Sequence, residues 1–241
     1  MSPPEPFASL QWPAPITNLD AKRALAARAA ELVRSALPVD DGGGSRVGLG
    51  SGSTAFLTLL ALADQVAGPA GLAVVATSYE MEWYATAAGF SVVPLDDRGV
   101  AVAFDGADQV DPAGALVKGR GGAMGRECSV LQAAARELIV VDASKQVDEL
   151  GGCPLPLELS PSDTFATVDS VEAATSAAVV LRTGSGKDGP VITESGGILA
   201  DLMVPDGTAI TAALDARIRA VDGVRDTGYF APSAKREVVT G

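Results

Sequence analysis

The sequence contains no histidine, the residue type that most often transfers protons near neutral pH. Acid–base chemistry in this protein must therefore use Asp, Glu, Lys, Tyr or Cys. Cysteine is scarce as well, since Cys128 and Cys153 are the two in the chain and their spacing matches neither a metal motif nor a disulfide framework. We therefore expect no metal site, and a location in a reducing cytoplasm.

Positive charge is also in short supply. The chain has 18 Lys and Arg residues against 30 Asp and Glu residues, a formal net charge of −12, and no basic cluster reverses it locally. Such a protein repels a phosphate backbone, so we do not expect nucleic acid as a partner. No apolar run is long enough to span a membrane, so we expect no membrane partner either. An anionic small molecule would have to meet individual lysines in loops, of which Lys118 and Lys145 are the candidates.

Aromatic residues account for only 5% of the chain, whereas 47% of it is hydrophobic. The core must therefore consist of Ala, Val, Leu and Ile, which is typical of parallel sheets covered by helices. Between about residues 20 and 150, short apolar strands such as VAVAFD (100–105) and ELIVVD (137–142) alternate with helices. This alternation predicts an α/β fold with a Rossmann-like, mostly parallel sheet flanked by helices.

After Gly151 the pattern changes to β-α-β-β-α with one further strand, which predicts a smaller α+β domain of ferredoxin-like type. The proline-rich start of the chain predicts a flexible leader. The predicted domains are the leader over 1–19, a main domain over 20–150 with 228–241, and the smaller domain over 151–227. Further expectations are helices over 123–136, 169–182 and 207–220, and a hairpin over 190–204.

Polar residues directly follow four of the predicted strands. They occupy positions 51–54, 77–78, 105–108 and 144–145. Ligands of an open parallel sheet bind in the crevice outside the carboxyl ends of its strands, so these positions are candidates for one binding site.

The run GLGSGST places three glycines before a helix whose first turn offers Ser53 and Thr54. Its free backbone N–H groups and hydroxyls suit a phosphate, although an ordinary capped strand-to-helix turn has the same composition. A dinucleotide fingerprint fits less well because Ser53 stands where a glycine is needed, and a Walker A loop would need a lysine after the glycines.

Carboxylates supply the other candidates. Asp105 and Asp108 stand three apart after an apolar strand, where a tight turn can point both into one crevice, and like charges held close suit proton exchange. Lys118 precedes a Gly-rich loop that leads into a helix carrying Glu127. Each of these has an alternative interpretation: an isolated DGAD is more often a turn, and a helical Glu is more often a solvated surface charge.

Taken in order, these motifs resemble the ribose-5-phosphate isomerase type A family over roughly residues 20–230. The resemblance is carried by VGLGSGSTA, FDGADQVD, KGRGGAMGRE, IVVDASKQVDELG, VITESGGILADL and GVRDTGYF. It implies a Rossmann-like main domain with a smaller lid domain, a homodimer or homotetramer, and no cofactor or metal. The implied activity is the interconversion of D-ribose 5-phosphate and D-ribulose 5-phosphate through an enediol, a step of the non-oxidative branch of the pentose phosphate pathway.

The resemblance also implies roles for individual residues. Glu127 would be the base that moves a proton between C1 and C2, the carboxylates of Asp105 and Asp108 would bind hydroxyls and shuttle protons between O1 and O2, and Lys118 would stabilise charge on the oxygens. The residues expected to bind substrate or phosphate are Ser51, Gly52, Ser53, Thr54, Gly106, Ala107, Gly119, Arg120, Gly121, Lys145 and Lys22.

Some positions depart from the family's pattern. Arg120 stands where a glycine is usual, Tyr79 where a smaller polar residue is usual, and Cys128 where a lysine is usual. These changes leave open an isomerase of a different sugar phosphate. A sensor of sugar phosphates on the same scaffold is a further alternative, as is a CoA transferase, although a sensor would not need the proton-transfer residues.

Overall fold

The computed structural model describes residues 7–37, 44–66 and 71–241. These form two compact units. The first unit contains the described residues up to Gly106 together with Arg126–Ser144 and Ala234–Gly241, and the second contains Ala107–Gly125 and Lys145–Ser233. The chain therefore passes from one unit to the other four times.

The helices are α1 (Leu19–Ala36), α2 (Ser53–Gln65), α3 (Tyr79–Ala87), α4 (Met124–Gln132), α5 (Thr164–Thr175) and α6 (Ala212–Arg219). The strands are β1 (Arg46–Leu49), β2 (Ala73–Ala76), β3 (Ser91–Val92), β4 (Val100–Asp105), β5 (Gln109–Val110), β6 (Leu116–Val117), β7 (Ala134–Val140), β8 (Leu155–Leu159), β9 (Val179–Leu181), β10 (Ile198–Leu202), β11 (Val224–Thr227), β12 (Tyr229–Phe230) and β13 (Arg236–Val239).

The sheet of the first unit has six strands in the order β3-β2-β1-β4-β7-β13, and every pair is parallel. This is the strand order of a Rossmann fold, so the predicted fold class is confirmed. Its central strands β1 and β4 are almost wholly buried, as expected for a sheet whose two faces are covered by helices. Helix α1 contributes a stripe at helical spacing, Leu25, Ala29 and Val33, and packs against α2.

The second unit holds the elements β8-α5-β9-β10-α6-β11, and its four strands form an antiparallel sheet in the order β11-β8-β10-β9. The smaller α+β fold is therefore confirmed as well. Its core is aliphatic, with Leu155, Leu157 and Leu159 of β8 packed among residues such as Leu202 and Ile218. A second, three-stranded antiparallel sheet in the order β12-β6-β5, which the sequence analysis did not predict, also lies in this unit.

The described part of the proline-rich segment, from Phe7 onward, does not form the flexible leader that its composition suggested. Residues 1–6 of the predicted leader lie outside the described residues, but from Phe7 onward the segment is packed. The Phe7 ring lies 4.6 Å from that of Trp83, and the Trp12 ring lies 5.4 Å from that of Phe56. The hydroxyl of Tyr84 donates to the Gln11 carbonyl at 2.6 Å. Aromatic contacts with α2 and α3, distant in sequence, thus decide the conformation here.

Two predicted helices were too long because their last residues pair as strands. The predicted helix over 123–136 ends at Gln132, and from Ala134 the chain forms β7, which pairs with β4. The predicted helix over 169–182 is instead α5, which begins and ends earlier and is followed by β9 against β10. In both places strand pairing outweighs the local helix propensity.

Other boundaries also differ from the predictions. The predicted hairpin over 190–204 contains one strand, β10, whose partners are β8 and β9, and only a single bridge joins Ile192 to Ile198. The helix predicted over 207–220 begins at Ala212, because the Thr211 side chain accepts from the Leu214 N–H and caps it. Residues 107–125 were predicted in the main domain and group with the second unit.

None of the described helices is both long and apolar enough to cross a membrane.

A buried ion pair joins β7 to β13. The Nη2 atom of Arg236 lies 2.9 Å from Oε2 of Glu137, and each side chain is only 5% exposed. Replacing Arg236 with Met removes the cation that faces a buried carboxylate, so we expect a loss of about 3 kcal/mol in the free energy of unfolding. Urea denaturation measures this.

The matched control is the exposed pair on the same two strands. Arg136 lies 2.8 Å from Glu237, with side chains 43% and 47% exposed. Because exposed pairs contribute little, Arg136→Met should cost at most about 1 kcal/mol. Equal losses in the two variants would contradict the assignment of the buried pair as the stabilising one.

Candidate active site

The order of strands in the first unit reverses between β1 and β4. From β1 the chain adds β2 and β3 on one side, and from β4 the sheet continues through β7 and β13 on the other. The carboxyl ends of the two central strands are where ligands of open α/β sheets bind. The loop after β1 and the end of β4 meet at this point, where the Gly50 N–H donates to the Phe104 carbonyl at 2.8 Å.

Asp105 ends β4 at the reversal and is 2% exposed. Its Oδ1 atom accepts hydrogen bonds from the N–H groups of Ser51, at 3.2 Å, and Gly106, at 2.7 Å. Gly50 makes this possible, because a Cβ atom at that position would stand 2.2 Å from the Asp105 Cγ atom. The carboxylate is therefore held against the 51–54 loop by a backbone that carries no side chain there.

The 51–54 loop is half-buried and leads directly into α2. Gly52 has φ +91°, a conformation that disfavours other residues, and its carbonyl accepts from Phe56 as the first helical bond. The N–H groups of Ser53 and Thr54 belong to the first turn, where the positive end of the helix dipole favours an anion. The Ser51 hydroxyl lies 2.7 Å from the hydroxyl of Thr77, which fixes the loop against the end of β2.

Glu127 lies in the first turn of α4 and is 5% exposed. The interpretation of this residue as a solvated surface charge is therefore wrong. Its neighbour Arg126 anchors this part of the helix, since its Nη2 atom lies 2.6 Å from the Glu82 carboxylate and 3.1 Å from the Ala76 carbonyl. The guanidinium of Arg126 also stacks over the ring of Tyr79 at 5.2 Å.

The second unit contains the other predicted residues. Lys118 directly follows β6 and is 3% exposed, with its ammonium 5.8 Å from the centre of the Phe230 ring. Its N–H donates to the Gly228 carbonyl at 2.9 Å. Arg120 comes two residues later, and its N–H donates to Oδ2 of Asp108 at 3.2 Å while its side chain lies 3.4 Å from Oδ1.

A cavity of about 490 Å³ in the second unit has several charged side chains in its lining. Its lining includes Asp108, Arg120, Lys145, Cys153, Arg182 and Asp201. Two of the cations have carboxylate partners here, since Arg120 faces Asp108 and Arg182 pairs with Asp201 at 2.6 Å. Lys145 makes no salt bridge with any residue in the described ranges, so its ammonium is the one suited to an added anion.

Lys22 is a predicted residue for which the structure shows no side-chain partner among the described residues. It lies in the first turn of α1, and its side chain makes no hydrogen bond or ion pair within 7–37, 44–66 and 71–241. The sequence analysis also missed Arg182 and Asp201. Arg182 contacts the Gly-rich loop at Gly119 and pairs with Asp201. The sequence feature that could have indicated them is a charged residue at each of two apolar segments: Arg182 directly follows one, and Asp201 lies inside the next. No cluster of three or more metal-ligating side chains occurs among the residues that the structure describes.

Comparison with known proteins gives one consistent result. Residues 73–241 match the family described as ribose 5-phosphate isomerase A (phosphoriboisomerase A). The chain is 37% identical over 214 residues to ribose-5-phosphate isomerase A of Methanoregula boonei, covering 87% of this chain and 84% of that protein.

Solved structures agree with this match. The structure of ribose 5-phosphate isomerase A from Methanocaldococcus jannaschii is 32% identical with a TM-score of 0.78, covering 93% of this chain and 96% of that one. A D-ribose-5-phosphate isomerase solved in complex with phospho-erythronic acid is 29% identical with a TM-score of 0.79, again covering 93% of this chain and 96% of that one.

The close approach at Gly50 can be tested by substitution. Gly50→Ala puts a methyl group where the Asp105 carboxylate lies, so we expect a loss of about 1–3 kcal/mol in the free energy of unfolding. Gly71→Ala is the control, since its Cβ atom meets nothing within 4 Å and should change stability by no more than about 0.5 kcal/mol. Equal effects in urea denaturation would show that Asp105 does not need the space.

The thiol of Cys153 provides a pH-dependent test of the cavity. Burial chiefly, and then the charge of Asp108, raise its pKa above the ordinary value, while Lys145 opposes them. A raised pKa means less thiolate, so alkylation by iodoacetamide in a Cys128→Ser background should reach half its maximal rate at a higher pH in native than in urea-unfolded protein. Asp108→Asn should lower the native midpoint. An identical midpoint in native and unfolded protein would contradict this environment for the thiol.

Proposed function

The chain belongs to the ribose 5-phosphate isomerase A family, and we infer that it interconverts D-ribose 5-phosphate and D-ribulose 5-phosphate. Within the site, this function is supported chiefly by the position of Asp105, which is held at the reversal of strand order against a loop suited to phosphate. We propose that the site uses Glu127 as its base, with Asp105, Asp108 and Lys118 as the other catalytic residues.

The proposed reaction begins at C2 of the open-chain aldose. Glu127 takes the C2 proton, the C2–H electron pair forms a C1=C2 double bond, and the carbonyl pair moves onto O1, which is protonated to give the enediol. The enediol then loses the O2 proton, the C2=O2 bond forms, and Glu127 returns its proton to C1. The sum is a transfer of hydrogen within one molecule, so the step needs no external oxidant or reductant.

The carboxylates of Asp105 and Asp108 are proposed to bind the sugar hydroxyls and to carry the proton between O2 and O1. They stand three residues apart, so the chain itself keeps their Cα atoms within about 11 Å of each other. Asp105 accepts two backbone N–H groups and Asp108 accepts one, which fixes the orientation of both carboxylates in advance of substrate.

The proposed cations act on the oxygens. A buried ammonium at Lys118 stabilises negative charge that develops on O1 and O2, because few water molecules compete with it there. The 51–54 loop and Lys145 are proposed to bind the phosphate, and Gly106, Ala107, Gly119, Arg120 and Gly121 to line the sugar. Lys22 remains a proposed phosphate contact on the family resemblance alone.

We also propose that the protein acts in the cytoplasm as a homodimer or homotetramer. The family resemblance supports the assembly. Cys128 and Cys153, both among the described residues, form no disulfide with each other, which is compatible with a reducing compartment.

The proposed base is tested by Glu127→Gln, which keeps the shape of the side chain and removes the proton acceptor. We expect kcat for ribose 5-phosphate to fall by about 10²–10⁴-fold while the Kd for phospho-erythronic acid changes by less than about threefold. Formation of ribulose 5-phosphate measures kcat, and calorimetry measures binding.

The control is Glu137→Gln, a first-unit carboxyl buried to a similar degree but paired with Arg236 on another strand. It should lose stability and keep kcat within about fivefold, which separates chemistry from folding. A wild-type protein without turnover of ribose 5-phosphate would overturn the proposed function. A normal kcat in Glu127→Gln would move the base to another residue.

A further inference from the structure

Arg182 uses all three of its guanidinium nitrogens, and two different elements share them. Its Nε and Nη2 atoms each lie 2.6 Å from one oxygen of the Asp201 carboxylate. Its Nη1 atom donates to the Arg120 carbonyl at 2.6 Å and to the Gly119 carbonyl at 3.3 Å. One edge of the planar group is thus bound to a strand and the remaining nitrogen to the Gly-rich loop.

The strand side of this arrangement is rigid. Asp201 lies in β10, and Arg182 directly follows β9, its neighbour in the antiparallel sheet. The Arg182 N–H donates to the Leu199 carbonyl at 2.9 Å, which makes Asp201 its diagonal neighbour on the same face. Both side chains are about four-fifths buried. The guanidinium is therefore fixed by the sheet independently of the loop that it contacts.

On the loop side, one peptide group is held at both ends. The Gly119 carbonyl accepts from Arg182 and from the Gly122 N–H, at 2.9 Å. The N–H of the same peptide, that of Arg120, donates to Oδ2 of Asp108. Rotation of this peptide would therefore break its contact with Arg182 and its contact with Asp108 together. The shorter bond of Arg182, to the Arg120 carbonyl, holds the next peptide of the loop.

We propose that Arg182 is a positioning residue for the isomerase reaction. Oriented by Asp201, it fixes the peptide between Gly119 and Arg120, which in turn orients the Asp108 carboxylate and the adjoining Lys118. This inference rests on the proposed roles of Asp108 and Lys118. It assigns the pair of Arg182 and Asp201 to catalysis through geometry, without contact with substrate.

The chemistry of the contact requires arginine. A lysine carries three donors on one nitrogen and cannot bind a carboxylate on one edge while reaching two carbonyls from another nitrogen. Arg182→Lys thus keeps the positive charge that faces Asp201 and loses the planar guanidinium that binds the carboxylate and the loop at the same time. If charge alone mattered, this variant would behave like the wild type.

The experiment compares Arg182→Met and Arg182→Lys with a matched arginine in the same unit. Arg219 also pairs with carboxylates, Asp215 at 2.9 Å and Asp226 at 2.8 Å, and its hydrogen bonds do not involve the 118–122 loop. We expect both Arg182 variants to lose about 10–100-fold in kcat, with KM within about threefold, because a small misplacement of catalytic groups is costly. Arg219→Met should keep kcat within about threefold even if its Tm falls.

A second measurement follows the order of the loop independently of turnover. Amide hydrogen exchange at Arg120 and Gly122, without substrate, should become at least tenfold faster in Arg182→Met and stay unchanged in Arg219→Met. Unchanged exchange, or a kcat within threefold of wild type in Arg182→Met, would overturn the inference, as would an equal kcat loss in Arg219→Met. If the wild type does not turn over ribose 5-phosphate, the proposed function fails, and the inference fails with it as a statement about catalysis. The exchange result then decides whether Arg182 orders the loop.

Discussion

The first unit depends on one close approach, that of the Asp105 carboxylate to the backbone at Gly50. A side chain at position 50 would occupy the space of the carboxylate. Without one, the ends of β1 and β4 come together, and Asp105 accepts the N–H groups of Ser51 and Gly106. The same backbone path then turns through Gly52 into α2, so the carboxylate and the anion-suited first turn are positioned by a single loop.

The second unit solves a comparable problem differently. Its Gly-rich loop after β6 belongs to no sheet over residues 119–122, and side chains instead supply its partners. Asp108 binds the N–H of one peptide and Arg182 its carbonyl. The Gly-rich loop thereby adopts a defined conformation, which in turn fixes the positions of the residues beside it. The Arg182 guanidinium, oriented by Asp201 of the small antiparallel sheet, makes a contact with the loop that an apolar residue could not make.

The positive charges of the candidate site are likewise positioned one by one. A protein with net charge −12 has no general attraction for a sugar phosphate, so each cation must be located where it acts. The buried Lys118, the cavity-lining Lys145 and the exposed Arg120 each have a different environment. Of these, Arg120 stands where the family resemblance would imply a glycine, and it contacts a proposed catalytic carboxylate directly.

Much of the fold and of the candidate site was determined by the sequence. Apolar strands alternating with helices predicted the parallel sheet, the switch after Gly151 predicted the second fold, and carboxylates at strand ends marked Asp105 because the Rossmann order brings such ends together. The tertiary structure decided what depends on residues far apart in the chain. The burial of Glu127, the packing of Phe7 and Trp12, and the conversion of 134–136 from helix to strand all required partners that local pattern does not reveal. The contact of Arg182 with a loop 63 residues earlier is the clearest case, since nothing near either position in the sequence indicates the other.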